Sequence, residues 1–230
     1  MLRLDGLLLG REGFRLAADW AVPEGARVAL LGPSGGGKST LIDAVAGFLA
    51  PLAGRVLWRG ADLGPLAPGD RPVGVLFQDG NLFPHLTVAQ NAGLALRPGP
   101  RLRPEERGRV EAALSRVGLG GLGERRPAGL SGGQAARAAL ARVLLQGRPL
   151  VLLDEPFGAL GPAQRAGMLD LTLEALPEAT LLLVTHDPGE ARRLGGLAAV
   201  VAGGVAEAPR PVAAVLDDPP PALRAYLSRG

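Results

Sequence analysis

One lysine, Lys38, stands among 25 basic residues, the rest being arginine, so position 38 asks for something a guanidinium does not supply. It lies in Gly32-Pro33-Ser34-Gly35-Gly36-Gly37-Lys38-Ser39-Thr40, the G-x-x-x-x-G-K-S spacing of a phosphate cradle. A compact ammonium fits between β- and γ-phosphates, where a broad planar guanidinium would crowd them. The glycines let successive N–H groups converge on phosphate oxygens, and the helix start beyond them adds positive potential. Ser39 is the expected hydroxyl ligand of Mg2+, with Thr40 supporting the loop. A glycine-rich turn that binds nothing is the bland reading; an apolar strand before and a helix after disfavour it.

Two further groups carry chemistry. Leu150 to Leu153 is an apolar run ending in Asp154-Glu155, where a nucleotide site in an open α/β sheet lies. Asp154 is expected to hold Mg2+ through water, and Glu155 to orient and polarise an attacking water, since phosphoryl transfer needs positioning and charge more than covalent help. A solvated acidic turn is the alternative. Leu130-Ser131-Gly132-Gly133-Gln134 places a hydroxyl and two glycines at a helix start, which reads as an ordinary N-cap or as a second anion site.

The elements that must position these groups follow from the apolar pattern. Arg27–Leu31 reads as a buried strand entering the phosphate loop, and Lys38 to about Phe48 as the helix after it. Residues 1–22 alternate over short stretches and predict a small antiparallel sheet; 55–58 and 73–77 predict further strands. From Gln78 to about Gln146 helix signals dominate, with Pro104, Glu105 and Glu106 a helix start, Gly118 a stop, and Leu140, Val143 and Leu144 on one face of a helix after Ser131. Leu150–Leu153 and 180–184 return as continuous apolar strands around a helical stretch near 162–176, which predicts a parallel sheet covered on both faces. A C-terminal helix is expected after Pro219-Pro220-Pro221.

Bulk properties narrow the function. The formal net charge is +3 with 3% aromatics, so the isoelectric point near 10.4 reflects arginine's high pKa, and a base-stacking surface for nucleic acid is disfavoured. The absence of cysteine removes disulfide, thiolate and Cys-metal chemistry. The early charges at Arg3 and Asp5 do not suit a signal peptide, and no apolar run reaches the ~18 residues of a membrane span. The expectation is a soluble chain whose membrane role comes through a partner.

Taken together, the phosphate loop, the Leu130–Gln134 motif and the Asp154-Glu155 strand end resemble the motif set of ATP-binding cassette (ABC) ATPases, over the whole chain. The resemblance implies an α/β cassette: a P-loop NTPase core with a mostly parallel sheet at 1–77 and 148–230, a small antiparallel β subdomain, and an inserted α-helical subdomain at 78–147 ending in the signature motif. It implies ATP and Mg2+, with Gln78 sensing Mg2+ and facing the transport partner, and His186 contacting the γ-phosphate; His85 stays structural. It also implies a head-to-tail homodimer in which Ser131, Gly132, Gly133 and Gln134 of one copy complete the site of the other. An integral membrane permease would bind the chain at the cytoplasmic face, with a periplasmic substrate-binding protein acting indirectly.

Three positions depart from the family's pattern. Arg11, with Phe14 nearby, stands where a tyrosine usually stacks on adenine, and a guanidinium plane can stack in its place. Gly161 stands where an aspartate links the two sites. Ala135 and Ala136 replace polar residues while keeping helix propensity. The stretch Phe77-Gln78, Asn81-Leu82-Phe83 and His85 to Asn91 looks like the ATP-binding subunits of bacterial thiamine importers; importers of iron, inorganic anions or polyamines are the rivals. A soluble repair or translation cassette needs a coiled-coil insertion or a second motif set, and the chain shows neither. A module that binds ATP with impaired hydrolysis is the remaining class.

Overall fold

Alternation decides the first strands. Leu16, Ala18, Trp20 and Val22 are buried while the residues between them face out, the period-two pattern of a strand with one face on a core. The computed structural model describes residues 1–11, 13–78 and 80–227, apart from the side chains of Arg11, Tyr226 and Leu227. In chain order the elements are β1 (Leu2–Arg11), β2 (Phe14–Val22), β3 (Arg27–Leu31), α1 (Lys38–Ala46), β4 (Ala53–Trp58), β5 (Ala61–Asp62), β6 (Val73–Leu76), α2 (Val88–Gly93), α3 (Pro104–Arg116), α4 (Gly132–Gln146), β7 (Leu150–Asp154), α5 (Pro162–Ala175), β8 (Thr180–Val184), α6 (Pro188–Leu194), β9 (Leu197–Ala202), β10 (Val205–Ala206), β11 (Arg210–Pro211), α7 (Val212–Asp217) and α8 (Pro221–Leu227). They divide into two compact units, Met1–Val73 with Glu178–Gly230, and Gly74–Pro177.

In the first unit the strands run β5-β4-β1-β2-β10-β9-β3-β8, with β11 on β9. β1 pairs antiparallel with β2 and β4, the small antiparallel sheet expected at the N-terminus. β3 lies parallel between β8 and β9. Its residues Val28–Leu31 and those of β8 are buried, because a parallel strand covered on both faces has no solvent side to make polar.

Helix α1 ends at Ala46, two residues short of the expected Phe48. Gly47 takes φ 94°, and its N–H returns to the carbonyls of Asp43 and Ala44, a left-handed C-cap that ends the helix. Phe48 is therefore left 52% exposed. The end is stoppered by Arg71, only 5% exposed, whose guanidinium donates to the carbonyls of Ala44 (2.8 Å), Val45 (2.9 Å) and Leu66 (3.2 Å). A Cβ at Gly47 would lie 2.6 Å from Arg71 Nε, so glycine here makes both the turn and the room. Burial pushes the Arg71 pKa down, with Asp62 opposing it.

In the second unit β7 lies beside β6, and α2, α3 and α4 pack on one another through Val88, Ala92, Val110, Leu114, Ala138 and Leu140, all buried. The expected helix start at Pro104 is observed, with Glu105 and Glu106 in its first turn, and Gly118 at φ 72° follows its end. The helical segment expected at 78–147 lies inside this unit, whose bounds also take in β7 and α5.

The Arg71 cap yields a stability prediction. Arg71→Met keeps the bulk but removes the guanidinium donors from the Ala44, Val45 and Leu66 carbonyls. Urea unfolding should show a loss of about 2–4 kcal/mol; an unchanged midpoint would show the cap to be dispensable.

Candidate nucleotide site

The phosphate loop leaves β3 where the strand ends and curls under glycine geometry. Gly32, Gly35 and Gly37 have φ of 145°, 74° and 103°, values that side chains other than glycine rarely adopt. Space is equally restrictive. A Cβ on Gly32 would sit 2.2 Å from Val201 O, and one on Gly36 2.7 Å from the same oxygen. The Gly36 N–H closes a turn on Pro33 O at 3.1 Å. Lys38, the first residue of α1, is 6% exposed, and its ammonium donates to Gly32 O at 2.8 Å and Pro33 O at 2.9 Å. The cation is thus drawn back over the loop whose N–H groups are the expected anion donors. Ser34, Gly35 and Ser39 are exposed, and Thr40 is half-buried.

His186 leaves the same end of the parallel strands. Val184 of β8 is in register with Leu30 of β3, so His186 and Gly32 each stand two residues beyond paired positions. His186 is exposed, on a turn ordered by its neighbours. The Thr185 hydroxyl donates to Glu190 and accepts the Asp187 N–H at 3.0 Å. The Arg11 side chain lies outside the described residues; its backbone pairs with Phe14 across the β1–β2 turn. The Phe14 ring lies against the loop, its Cζ 2.7 Å from where a Cβ of Gly37 would stand.

The second unit gathers another group of the expected residues. Ser131 is the N-cap of α4: its hydroxyl accepts the Gln134 N–H at 3.3 Å, and the Gln134 side chain accepts the Ser131 N–H at 3.0 Å. This capping box fixes the helix start and leaves the Gly132 and Gly133 N–H groups among the first-turn donors that have no partner within a helix. The N-cap and the anion site, alternatives in the sequence, are compatible in one geometry. Gln78 and Gly132 line a cleft of about 250 Å³ with Leu76, Ala139, Phe157 and Leu160. Gln78 Nε2 stands 4.0 Å from the Cβ position of Gly158, and Leu160 Cδ2 3.3 Å from that of Gly132. The turn after Asp154-Glu155 therefore sits between Gln78 and the signature helix.

Glu155 follows the end of β7 with φ 44°. A side chain in the left-handed region stores strain, and such residues cluster at functional sites. Sequence reading anticipated the carboxylate but not its backbone. It also missed Phe157 and Leu160 as cleft walls, for which two apolar residues in an otherwise glycine-rich turn were the available signal. Gly161 starts α5 with no side-chain cap bond, the local result of lacking an aspartate there. Asp154, like Glu155, is half-buried at the strand end.

Comparison with known proteins adds an independent line. The ABC transporter family profile matches residues 17–158. The chain is 60% identical to the thiamine import ATP-binding protein ThiQ of Cereibacter sphaeroides, covering 99% of each chain. It is 58% identical to the protein of that name from a Ruegeria species, again over 99% of each. Among solved structures it resembles a dimeric post-hydrolysis state of the ATP-binding cassette MJ0796 bound to ADP and Pi, at 27% identity and TM-score 0.78, over 92% of this chain and 99% of that one.

The Glu155 backbone can be tested apart from its carboxylate. Glu155→Gly and Glu155→Ala both lose the acid, but only glycine is at ease at positive φ. The glycine variant should be the more stable by about 1 kcal/mol in chemical denaturation. Equal stabilities would show that the strain is absent in solution.

Proposed function

We propose a function from one premise: the chain belongs to the ABC transporter family. It is the ATP-hydrolysing subunit of an importer, and its substrate is thiamine or a thiamine phosphate ester. The observation that carries the substrate is end-to-end identity of 60% to a protein named for thiamine import. No described helix is long and apolar enough to cross a membrane. As an importer's ATP-binding subunit, the chain would join an integral permease subunit at the cytoplasmic face, and translocation belongs to that permease. A periplasmic binding protein would deliver the substrate to that permease.

In this reading Lys38 and the N–H groups of the Gly32–Thr40 loop, Pro33 excepted, hold the β- and γ-phosphates of ATP. The geometry supports it: a cradle that a Cβ would fill, and a lysine seated on its carbonyls. Mg2+ fits the donor set, because the Ser39 hydroxyl, the Asp154 carboxylate and the Gln78 amide are all hard oxygen donors. Bound there, Mg2+ would neutralise charge on the phosphates. Glu155 accepts a proton from the attacking water and orients it, and His186 donates to the γ-phosphate. Ser131, Gly132, Gly133 and Gln134 serve the site of a second copy in a head-to-tail dimer; the MJ0796 cassette is likewise dimeric. Arg11 and Phe14 are the candidates for contact with the base. The segment 78–147 is the lobe that faces the permease.

A second reading, ATP binding with impaired hydrolysis, is favoured by Gly161, where a carboxylate joining the two sites is missing. One assay separates the two. Phosphate release by the purified chain should fall about 100-fold or more in Glu155→Gln, with binding of a fluorescent ATP analogue retained. A parent chain that releases no phosphate, with or without its permease, would establish the binding module instead.

Lys38→Ala should weaken that nucleotide binding by about tenfold or more, read by the same fluorescence titration. Radiolabelled thiamine uptake should drop in a deletion strain lacking other thiamine routes. Uptake equal to the parent's would rule thiamine out and turn attention to iron, anion or polyamine import.

A further inference from the structure

The turn that carries Gln78 is held by a residue outside every motif described above. After Gln78 the chain reverses through Gly80 (φ 62°) and Asn81 (φ 46°), with the Gly80 N–H on Phe77 O at 2.9 Å. Two left-handed residues in succession, one of them not glycine, persist only where the surroundings fix them. Arg142 supplies that hold. From α4 its Nη2 donates to Gly80 O at 2.7 Å and its Nη1 to Asn81 O at 2.8 Å. One turn earlier on the same face, Ala139 Cβ lies 3.2 Å from the Cβ position of Gly80. The turn is thus seated on α4 at two adjacent points.

The choice of residue is informative. Arg142 shares a helix face with the buried Ala138 and Ala139, where an aliphatic side chain would cost less to desolvate. Burial pushes its pKa down, an expense that makes sense only against acceptors needing a two-pronged donor. A lysine is a point charge and cannot span both carbonyls in the same fixed fork.

We propose that Arg142 is the positioning residue for Gln78: it binds the Gln78 turn to the body of α4, so the turn moves with the helix that begins at Ser131. An α-helix carries a rigid displacement along the roughly 15 Å from Gly132 to Arg142. The Ser131 end and Gln78 are then two ends of one lever. The proposal rests on the reading that Gln78 serves the ATPase cycle.

A double-mutant cycle on the purified full-length chain tests it, using Arg142→Met, Gln78→Ala and their combination. Arg142→Met should lower kcat by about tenfold to a hundredfold, with KM for ATP within about twofold of the parent, and Arg142→Lys should recover part of the loss. The combined variant should be no slower than Gln78→Ala alone, since a residue acting through another adds nothing once that other is gone. Losses that multiply would overturn the proposal, as would an Arg142→Met protein with parental kcat. Hydrogen exchange in Arg142→Lys supplies a readout independent of turnover and of the methionine variant's folding. The peptide covering Gln78–Leu82 should exchange about tenfold faster or more, with α3 unchanged; unchanged exchange in that peptide would remove the clamp. If Gln78→Ala alone hydrolyses ATP normally, the role of Gln78 fails, and the proposal with it, while the exchange result still reports whether the clamp exists.

Discussion

The phosphate loop depends on a backbone path that closes against Val201. With 2.2 Å between that carbonyl and any Cβ at Gly32, the loop begins in a space that admits no side chain. Everything downstream inherits this constraint. Gly36 meets the same Val201 carbonyl, Gly37 is closed in by the Phe14 ring, and between these limits Lys38 seats on the Gly32 and Pro33 carbonyls. The parallel pairing of β3 with β9 is therefore part of the site as well as of the core. At its far end α1 meets a matching restriction, where Gly47 and Arg71 share a space that tolerates only their combination. The helix is fixed at both ends by glycines, each chosen by a neighbour.

The second unit solves a different problem with the same materials. Helix α4 begins at a capped Ser131 and also holds the turn after Gln78 farther along. Small residues, Ala135, Ala136 and Ala139, let the turn approach. The two alanines that depart from the family's polar pattern are thereby given a physical place, as floor of the cleft beside Gln78. Glu155 and Asn81, left-handed residues that are not glycine, both lie on turns of this unit, which agrees with the general placing of such residues where geometry matters more than stability.

What could be read from the chain beforehand divides along physical lines. Strands β3, β7 and β8 were legible because an unbroken apolar run has few other fates. Helix α3 was legible because Pro104, two glutamates and Gly118 mark both ends. The end of α1 was misplaced by two residues, since Phe48 looks like a core residue until the glycine before it is known to turn left-handed. Helix α2 went unremarked although Thr87 and Gln90 form a reciprocal capping box, a short signal masked by the loop composition around it. Buried Asn91, which ties the Phe83–Thr87 loop down through four bonds, could not be told from a surface asparagine. The motif residues were recognisable by type and spacing. The left-handed backbone of Glu155 was not, because nothing in its residue type announces it, and the grip of Arg142 was not, because it joins segments distant in sequence.

The solitary ammonium has a practical corollary. Apart from the α-amino group of Met1, which pairs with Glu24, this chain carries one alkyl amine, and that amine sits in the cradle. Any reagent selective for primary amines consequently interrogates a single interior position, without engineering or tagging. Acylation rate becomes a gauge of how tightly the loop is closed, and mass spectrometry can read it from one peptide.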